Sequence, residues 1–278
     1  MPVVKLPHRV KQNENDIALL WDETQRLRRR IENMWGQVVD QSMYGNWLYA
    51  QSAIMALPGL VGFWPMSVFD SSGNPQDVSG HGHHLTLNGN LTFNQDGFLP
   101  YADFDGTGDL FSRADEADFD IAGDESHVGI PGLTMGGLWY GKGAVRQVLM
   151  AKYDDGSSES YRLTIEGDVR AVFYISDDGA DVDSVKLDTS VKDAWHLIVG
   201  RFDDAQTGEE LKIWVDDGTA TDSTSIASIF DSTADFTIGA DDGGTVPLTG
   251  YASLCFLCAA AVSDDAINEL YRILSPLF

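Results

Sequence analysis

The chain is poor in three things that narrow its class. Only two cysteines occur in 278 residues, Cys255 and Cys258, three apart in an apolar run. Side chains at odd separation on a strand point to opposite faces, so these two are expected as free, packed thiols rather than a bridge. Two cysteines without paired histidine spacing are also no zinc site. No apolar stretch approaches the ~20 residues of a membrane-spanning helix. The opening Met1-Pro2-Val3-Val4-Lys5 lacks the apolar segment of a secretory signal, so a soluble protein is expected.

Positive charge is the third scarcity. Lys and Arg number 18 against 43 Asp and Glu, a formal charge of -25. Residues 1–40 hold seven basic and six acidic side chains, so the remaining 238 residues carry all of the deficit, -26. Such a body repels nucleic acid and anionic membranes and attracts divalent cations. The run Arg26 to Arg30 reads as an exposed helix face.

What is present is a β-rich pattern. Hydrophobic content of 43% with 28 glycines suits a globular chain with many turns. After Pro58, short period-two runs alternate with Asp/Gly turns such as Asp154-Asp155-Gly156, Asp177-Asp178-Gly179, Asp216-Asp217-Gly218 and Asp241-Asp242-Gly243-Gly244. A dozen strands are expected, over 59–66, 85–87, 101–104, 109–112, 132–140, 147–152, 161–166, 169–175, 194–202, 210–216, 235–239 and 250–261. Many short strands with little helix between them make two antiparallel sheets packed face to face. Ser263 caps one closing helix with Ala266, Ile267, Leu270 and Tyr271 as its packed side.

The first 58 residues differ. Residues 1–13 are polar, contain Pro2 and Pro7, and read as an extended arm. From Asn13, Ile17, Thr24, Ile31 and Val38 recur every seven residues, and Leu20, Leu27, Met34 and Gln41 recur at the same period offset by three. That alternation is a coiled-coil seam. The expected organisation is therefore an arm over 1–13, a helical oligomerisation and anchor segment over 14–58, and a β-sandwich over 59–278. Ile17, Leu20, Leu27, Ile31, Met34 and Val38 are the expected oligomerising side chains, with a homotrimer favoured over a dimer.

The turns joining the strands carry a resemblance. Asp77 to Leu85, Asp103-Phe104-Asp105-Gly106-Thr107-Gly108-Asp109, Gly132 to Trp139, Trp195 to Val199, Leu211 to Gly218, Leu248-Thr249-Gly250 and Ser263 to Tyr271 together resemble the laminin-G-like branch of the concanavalin A-like lectin/glucanase fold. The resemblance implies an all-β jelly-roll sandwich with inward aromatics, here Trp139, Trp195 and Trp214. It also implies a calcium ion near a sheet edge, for which Asp77, Asp103, Asp105 and Asp109 are the candidate ligands and Asp241 with Asp242 a further cluster. Exposed aromatics for a sugar are limited to Tyr101, Tyr140, Tyr153 and Tyr174, and none stands out.

Enzyme signatures are wanting. Glucanases of this fold place three acids at alternating positions on one strand. The nearest approach here, Glu116-Ala117-Asp118-Phe119-Asp120, lacks the closing acid and sits in a turn region. No Gly-x-Ser-x-Gly, phosphate loop or His-Glu-x-x-His occurs. His81-Gly82-His83-His84 reads as a turn into the next strand rather than a metal site. The stretch Leu99 to Glu116 resembles modules of tailed-bacteriophage and environmental viral proteins. The expected function is thus a non-enzymatic virion surface protein, a head fibre, decoration protein or tail fibre, whose N-terminal segment binds other virion proteins and whose sandwich contacts host glycans. The alternatives are a soluble lectin or adhesion module and, behind it, a glycan-cleaving enzyme.

Overall fold

A computed structural model describes residues 25–30, 43–97, 99–122, 131–154 and 158–278. The chain divides into two compact units, residues 1–45 and 46–278. In the first, residues 25–30 are helical and Leu27 is 49% exposed. The other seam residues, Ile17, Leu20, Ile31, Met34 and Val38, lie outside the described residues.

The second unit begins within helix α1, residues 43–55. It buries Ala50 and Ile54, four apart on one helical face, and Leu57 just past the helix end. Fifteen strands follow: β1 Leu60–Trp64, β2 Thr86–Asn88, β3 Thr92–Asp96, β4 Leu99–Asp105, β5 Leu110–Arg113, β6 Leu133–Gly141, β7 Gln147–Asp154, β8 Ser158–Ile165, β9 Arg170–Ile175, β10 Asp183–Ser190, β11 Trp195–Phe202, β12 Leu211–Val215, β13 Gly218–Asp222, β14 Phe236–Ile238 and β15 Thr249–Cys258. Helix α2, Asp264–Leu274, closes the fold.

One sheet runs β13-β12-β11-β6-β15-β4-β3, with β1 also on β15; the other runs β10-β9-β8-β7-β14-β5-β2. Every ladder between named strands is antiparallel. β4 pairs with the first half of β15 and β1 with the second. Between them the register of β15 slips after Ser253, where Leu254 takes a left-handed backbone with φ 49°. A residue without glycine's freedom pays strain there, and its full burial supplies the packing that holds it.

Alternation sets the core. Leu133, Met135 and Trp139 of β6 meet Tyr161, Leu163 and Ile165 of β8 and Ala171, Phe173 and Ile175 of β9 in one cluster. Trp64, Phe236 and Phe119 stack in series at 5.3 and 4.6 Å. The two-sheet expectation holds. β3, β10 and β13 were not foreseen: their residues are largely exposed or half-buried, and ladder pairing rather than burial makes them strands.

The tryptophan expectation needs correction. Trp139 joins the core, whereas Trp214 is buried outside that cluster, with Arg201 at 5.1 Å and Lys212 at 5.0 Å from its ring. Arg201 and Lys212 both hold Asp264 in the first turn of α2. Trp195 is only half-buried. Ser263 caps α2 as expected, accepting from the Ala266 N–H at 3.3 Å, but the buried side is Ile267, Leu270, Ile273 and Leu274; Ala266 and Tyr271 lie at its border. Cys255 and Cys258 are free and buried.

Candidate functional site

On the strands that supply Trp139, Ala252 and Ala102 to the core, the residues of opposite phase face away from it. At one end of the eight-stranded sheet those residues are aromatic. Cross-strand pairing sets Trp195 of β11 opposite Tyr140 of β6, Tyr140 opposite Tyr251 of β15, and Tyr251 opposite Asp103 of β4. The ring centroids lie 5.9 Å apart for Tyr140 and Trp195 and 5.0 Å for Tyr140 and Tyr251. Tyr101, two residues before Asp103, joins Tyr251 at 4.6 Å and stands edge-on to Trp195 at 5.6 Å. Separations of this size suit offset and edge-to-face ring pairs. All four aromatics are half-buried, so they form a platform rather than a core.

A polar rim borders it. Lys142 Nζ sits 3.8 Å above the Tyr251 ring and 3.9 Å from Asp103 Oδ1, a cation–π contact in which the ring face offsets the ammonium's desolvation. Edge strand β3 places Thr92 opposite Asp103 and Asn94 opposite Tyr101. Burial holds the Tyr101 hydroxyl above its ordinary range, aided by neighbouring Tyr251, Asp103 and Asp96, so it stays a donor.

Two backbone features hold the platform's geometry. Gly250 lies opposite Gly141, and a Cβ on it would stand 1.9 Å from the Tyr140 carbonyl oxygen, so only glycine lets β6 and β15 close beneath the rings. Beside Trp195, His196 Nδ1 meets Asp216 Oδ2 at 2.7 Å while Asp216 Oδ1 accepts from the Leu197 N–H at 3.0 Å. Asp216 is itself left-handed, φ 58°, at the β12–β13 turn. The pair pins the start of β11.

The candidate calcium ligands are placed differently from one another. Asp77 is buried and its two oxygens accept from Phe63, Ser79, Gly82 and His83 N–H groups and the Ser79 hydroxyl. Asp109 is buried and accepts from the Asn90 and Asp105 N–H groups. Asp105 is exposed and accepts from Thr107, and Asp103 lies at the platform. Asp241 accepts from Thr245 and Val246; Asp242 accepts from Asp235. Among the described residues no group of three or more His, Cys, Asp or Glu is arranged to hold a metal ion.

Other singled-out residues have structural partners. His83 is buried, its ring nitrogens 2.8 Å from the Val61 carbonyl and 3.0 Å from Asp118 Oδ2. Glu116 pairs with Arg113, and Asp120 with the buried Lys152. Tyr153 is buried under the Arg162 guanidinium at 3.7 Å, and Tyr174 donates to Glu166 at 3.1 Å with its own pKa pushed up to about 12, by burial and then by Glu166. Of the four tyrosines expected to be exposed, the structure thus unites Tyr101 and Tyr140 and adds Trp195 and Tyr251. Sequence reasoning assigned Trp195 to the core and passed over Tyr251. The available signal was phase, since both are out of step with the inward residues of their strands.

Residues 141–268 match a laminin-G family described as the concanavalin A-like lectin/glucanases superfamily. The sandwich is of the concanavalin A-like kind. Similar solved structures include the binding domain of botulinum neurotoxin serotype G, with a TM-score of 0.60 at 11% identity over 78% of this chain and 51% of that one. The binding domain of botulinum neurotoxin DC in complex with rat synaptotagmin II gives 0.58 at 10% identity, over 78% and 52%. That of Paraclostridial Mosquitocidal Protein 1 gives 0.57 at 10% identity, over 77% and 52%. The chain therefore spans about half the length of these structures. No curated protein matches it. No helix among the described residues is long and apolar enough to cross a membrane.

Proposed function

We propose that the concanavalin A-like sandwich is a non-catalytic glycan-binding module, displayed in several copies from the surface of a virus particle by the N-terminal segment. The carrying observation is the row Trp195, Tyr140, Tyr251 and Asp103 across four paired strands. A sugar ring has apolar C–H faces and a hydroxyl perimeter. Aromatic rings take the faces while a few fixed polar groups take the hydroxyls, and here Asp103, Lys142, Asn94 and Thr92 stand at the rim. Asp103 is the only carboxylate in the row, whereas glycoside hydrolysis calls on two. The similar sandwiches named above belong to binding domains, which supports a binding role.

Display on a virion is supported by the resemblance of the Leu99 to Glu116 stretch to modules of viral proteins, by the polar arm, and by the heptad pattern of residues 14–41. Three copies on one stalk would raise weak glycan contacts by multivalency. The acidic body argues against nucleic acid as the partner.

The test is a glycan array probed with the full chain, with Trp195→Ala and Tyr251→Ala beside it. Binding is expected to fall at least about tenfold in each variant, the loss of roughly 1.4 kcal/mol, with the melting temperature within a few degrees of wild type. A wild type that binds no glycan, or variants that bind as well as it does, would overturn the platform reading. Release of reducing sugar would overturn the non-catalytic one. The mass of the intact assembly tests the display half, since a monomer leaves no stalk.

A further inference from the structure

We infer that helix α1 is an interface between copies of this chain, and that the shallow groove beside Leu48 and Met55 is filled by the same helix of a second copy. The inference rests on the self-association proposed above and assigns a contact within the 14–58 segment to α1 and its groove.

Register is the first argument. The series Leu20, Leu27, Met34 and Gln41 continues at the same period of seven to Leu48 and Met55, and Thr24, Ile31 and Val38 continue to Gly45 and Ser52. Leu48 and Met55 thus share the heptad position of Leu20, Leu27 and Met34, while Gln41, Gly45 and Ser52 put polar or small residues in the two series.

The helix has two apolar faces, and the sandwich uses one. Ala50, Ile54 and Leu57 are buried. Leu48 and Met55 are each 43% exposed, with exposed Ser52 between them. Together with Gln51, Ala56, Phe63 and Val78 they line the groove. Of the nine large hydrophobic side chains exposed among the described residues, Leu48, Tyr49 and Met55 lie together on α1 within the sandwich unit. Apolar exposure concentrated in this way marks a contact surface.

Charge decides what the occupant is. From Gln41 to Phe69 the chain has no Asp, Glu, Lys or Arg, although 22% of all its residues are charged. A helix face bound for water normally carries charge. Identical bodies with a net charge near -26 repel one another, so a charge-free surface is where they can approach. Ser52 at the seam spends its hydroxyl on the Leu48 carbonyl at 3.1 Å within the helix, which leaves the stripe free of unpaired donors there.

The test uses the full chain at micromolar concentration in sedimentation velocity. Wild type is expected as a multimer. Leu48→Glu combined with Met55→Glu should raise the dissociation concentration at least tenfold, while Val145→Glu with Val182→Glu, also exposed but off the stripe, should not change it. Met55→Cys provides an independent reading: mild oxidation should give an interchain disulfide on non-reducing gels, because Cys255 and Cys258 are buried and leave the new thiol as the reactive one. Retention of wild-type mass by the glutamate pair, or absence of the disulfide, overturns the inference. If Leu20→Glu with Leu27→Glu dissociates the assembly and the α1 pair does not, the seam ends before α1 and only this inference fails. A monomeric wild type removes it together with the self-association it rests on.

Discussion

Replacing Asp77 by alanine would remove the acceptor for five donors at once. Asp77 Oδ1 lies 3.0 Å from the Phe63 nitrogen and 2.8 Å from that of Ser79. Its Oδ2 lies 2.7 Å from the Ser79 hydroxyl and 3.0 Å from the nitrogens of both Gly82 and His83. The carboxylate thereby ties β1 to the loop that leads into β2, and the tie extends inward: the His83 carbonyl accepts from Trp64 Nε1 at 2.8 Å. Water can reach Ser79 and Gly82, which are half-buried or exposed, but not Phe63 and His83. Two stranded buried donors at about 1–3 kcal/mol each make Asp77→Ala cost roughly 2–6 kcal/mol, a large share of the roughly 5–15 kcal/mol that holds a domain folded. Asparagine should rescue little, because its NH2 faces donors where an oxygen stood.

Urea unfolding followed by tryptophan fluorescence measures this loss. A midpoint shift worth less than about 0.5 kcal/mol, the range of ordinary surface substitutions, would refute the latch. Its pH dependence has a definite sign. Burial pulls the Asp77 pKa up, but the hydrogen bonds from Phe63, Ser79 and His83 outweigh it and hold the group below its ordinary 3.8. A depressed folded pKa gives stability that is complete above the unfolded value and is lost as pH falls through the folded one. Wild type and Asp77→Ala should therefore converge in stability only below about pH 4. The same geometry bears on calcium. N–H groups converge on Asp77 and Asp109, and a cation entering there would meet the positive ends of those dipoles. Millimolar calcium should leave the wild-type midpoint unchanged. A calcium-dependent rise abolished by Asp105→Asn would place an ion at the Asp103–Asp109 turn.

Lys152 is fully buried with Nζ 2.5 Å from Asp115 and 3.1 Å from Asp120, and it also donates to the buried Ser232 and Ala234 carbonyls; water can reach both carboxylates, so Lys152→Met should cost about 1–3 kcal/mol for each carbonyl left without its donor, read as a lower urea midpoint at unchanged slope. Gly250→Ala should drive β6 and β15 apart beneath the platform and weaken glycan binding as much as Trp195→Ala; array binding equal to wild type would show that the close approach is not needed. Cys255 and Cys258 have thiols pushed up by burial, so a thiol reagent should label neither in native buffer and both in denaturant.

The inward phase of the strands was legible because burial repeats locally. In Leu133-Thr134-Met135 or Leu211-Lys212-Ile213, two or three residues suffice to say which side faces the core, and the two-sheet architecture follows. The polar strands β3, β10 and β13 escaped because a ladder partner, not a side-chain pattern, makes them strands, and no local window names the partner. The platform escaped for the same reason on a longer scale. Residues 101, 140, 195 and 251 meet only because the order β11-β6-β15-β4 sets distant segments side by side. One trace of it is nevertheless local. Tyr140 follows the inward Trp139, Tyr251 precedes the inward Ala252, and Trp195 lies out of step with the inward Ile198. Each is a large aromatic at a position whose phase calls for a polar residue. A solvated sheet face gains nothing from rings placed there singly, whereas four that touch one another bury area while leaving their outer faces open. Aromatics out of phase on strands that the topology makes neighbours are thus a pattern worth reading in any sandwich of this kind, and here they point to the proposed glycan-facing surface that the turn motifs did not.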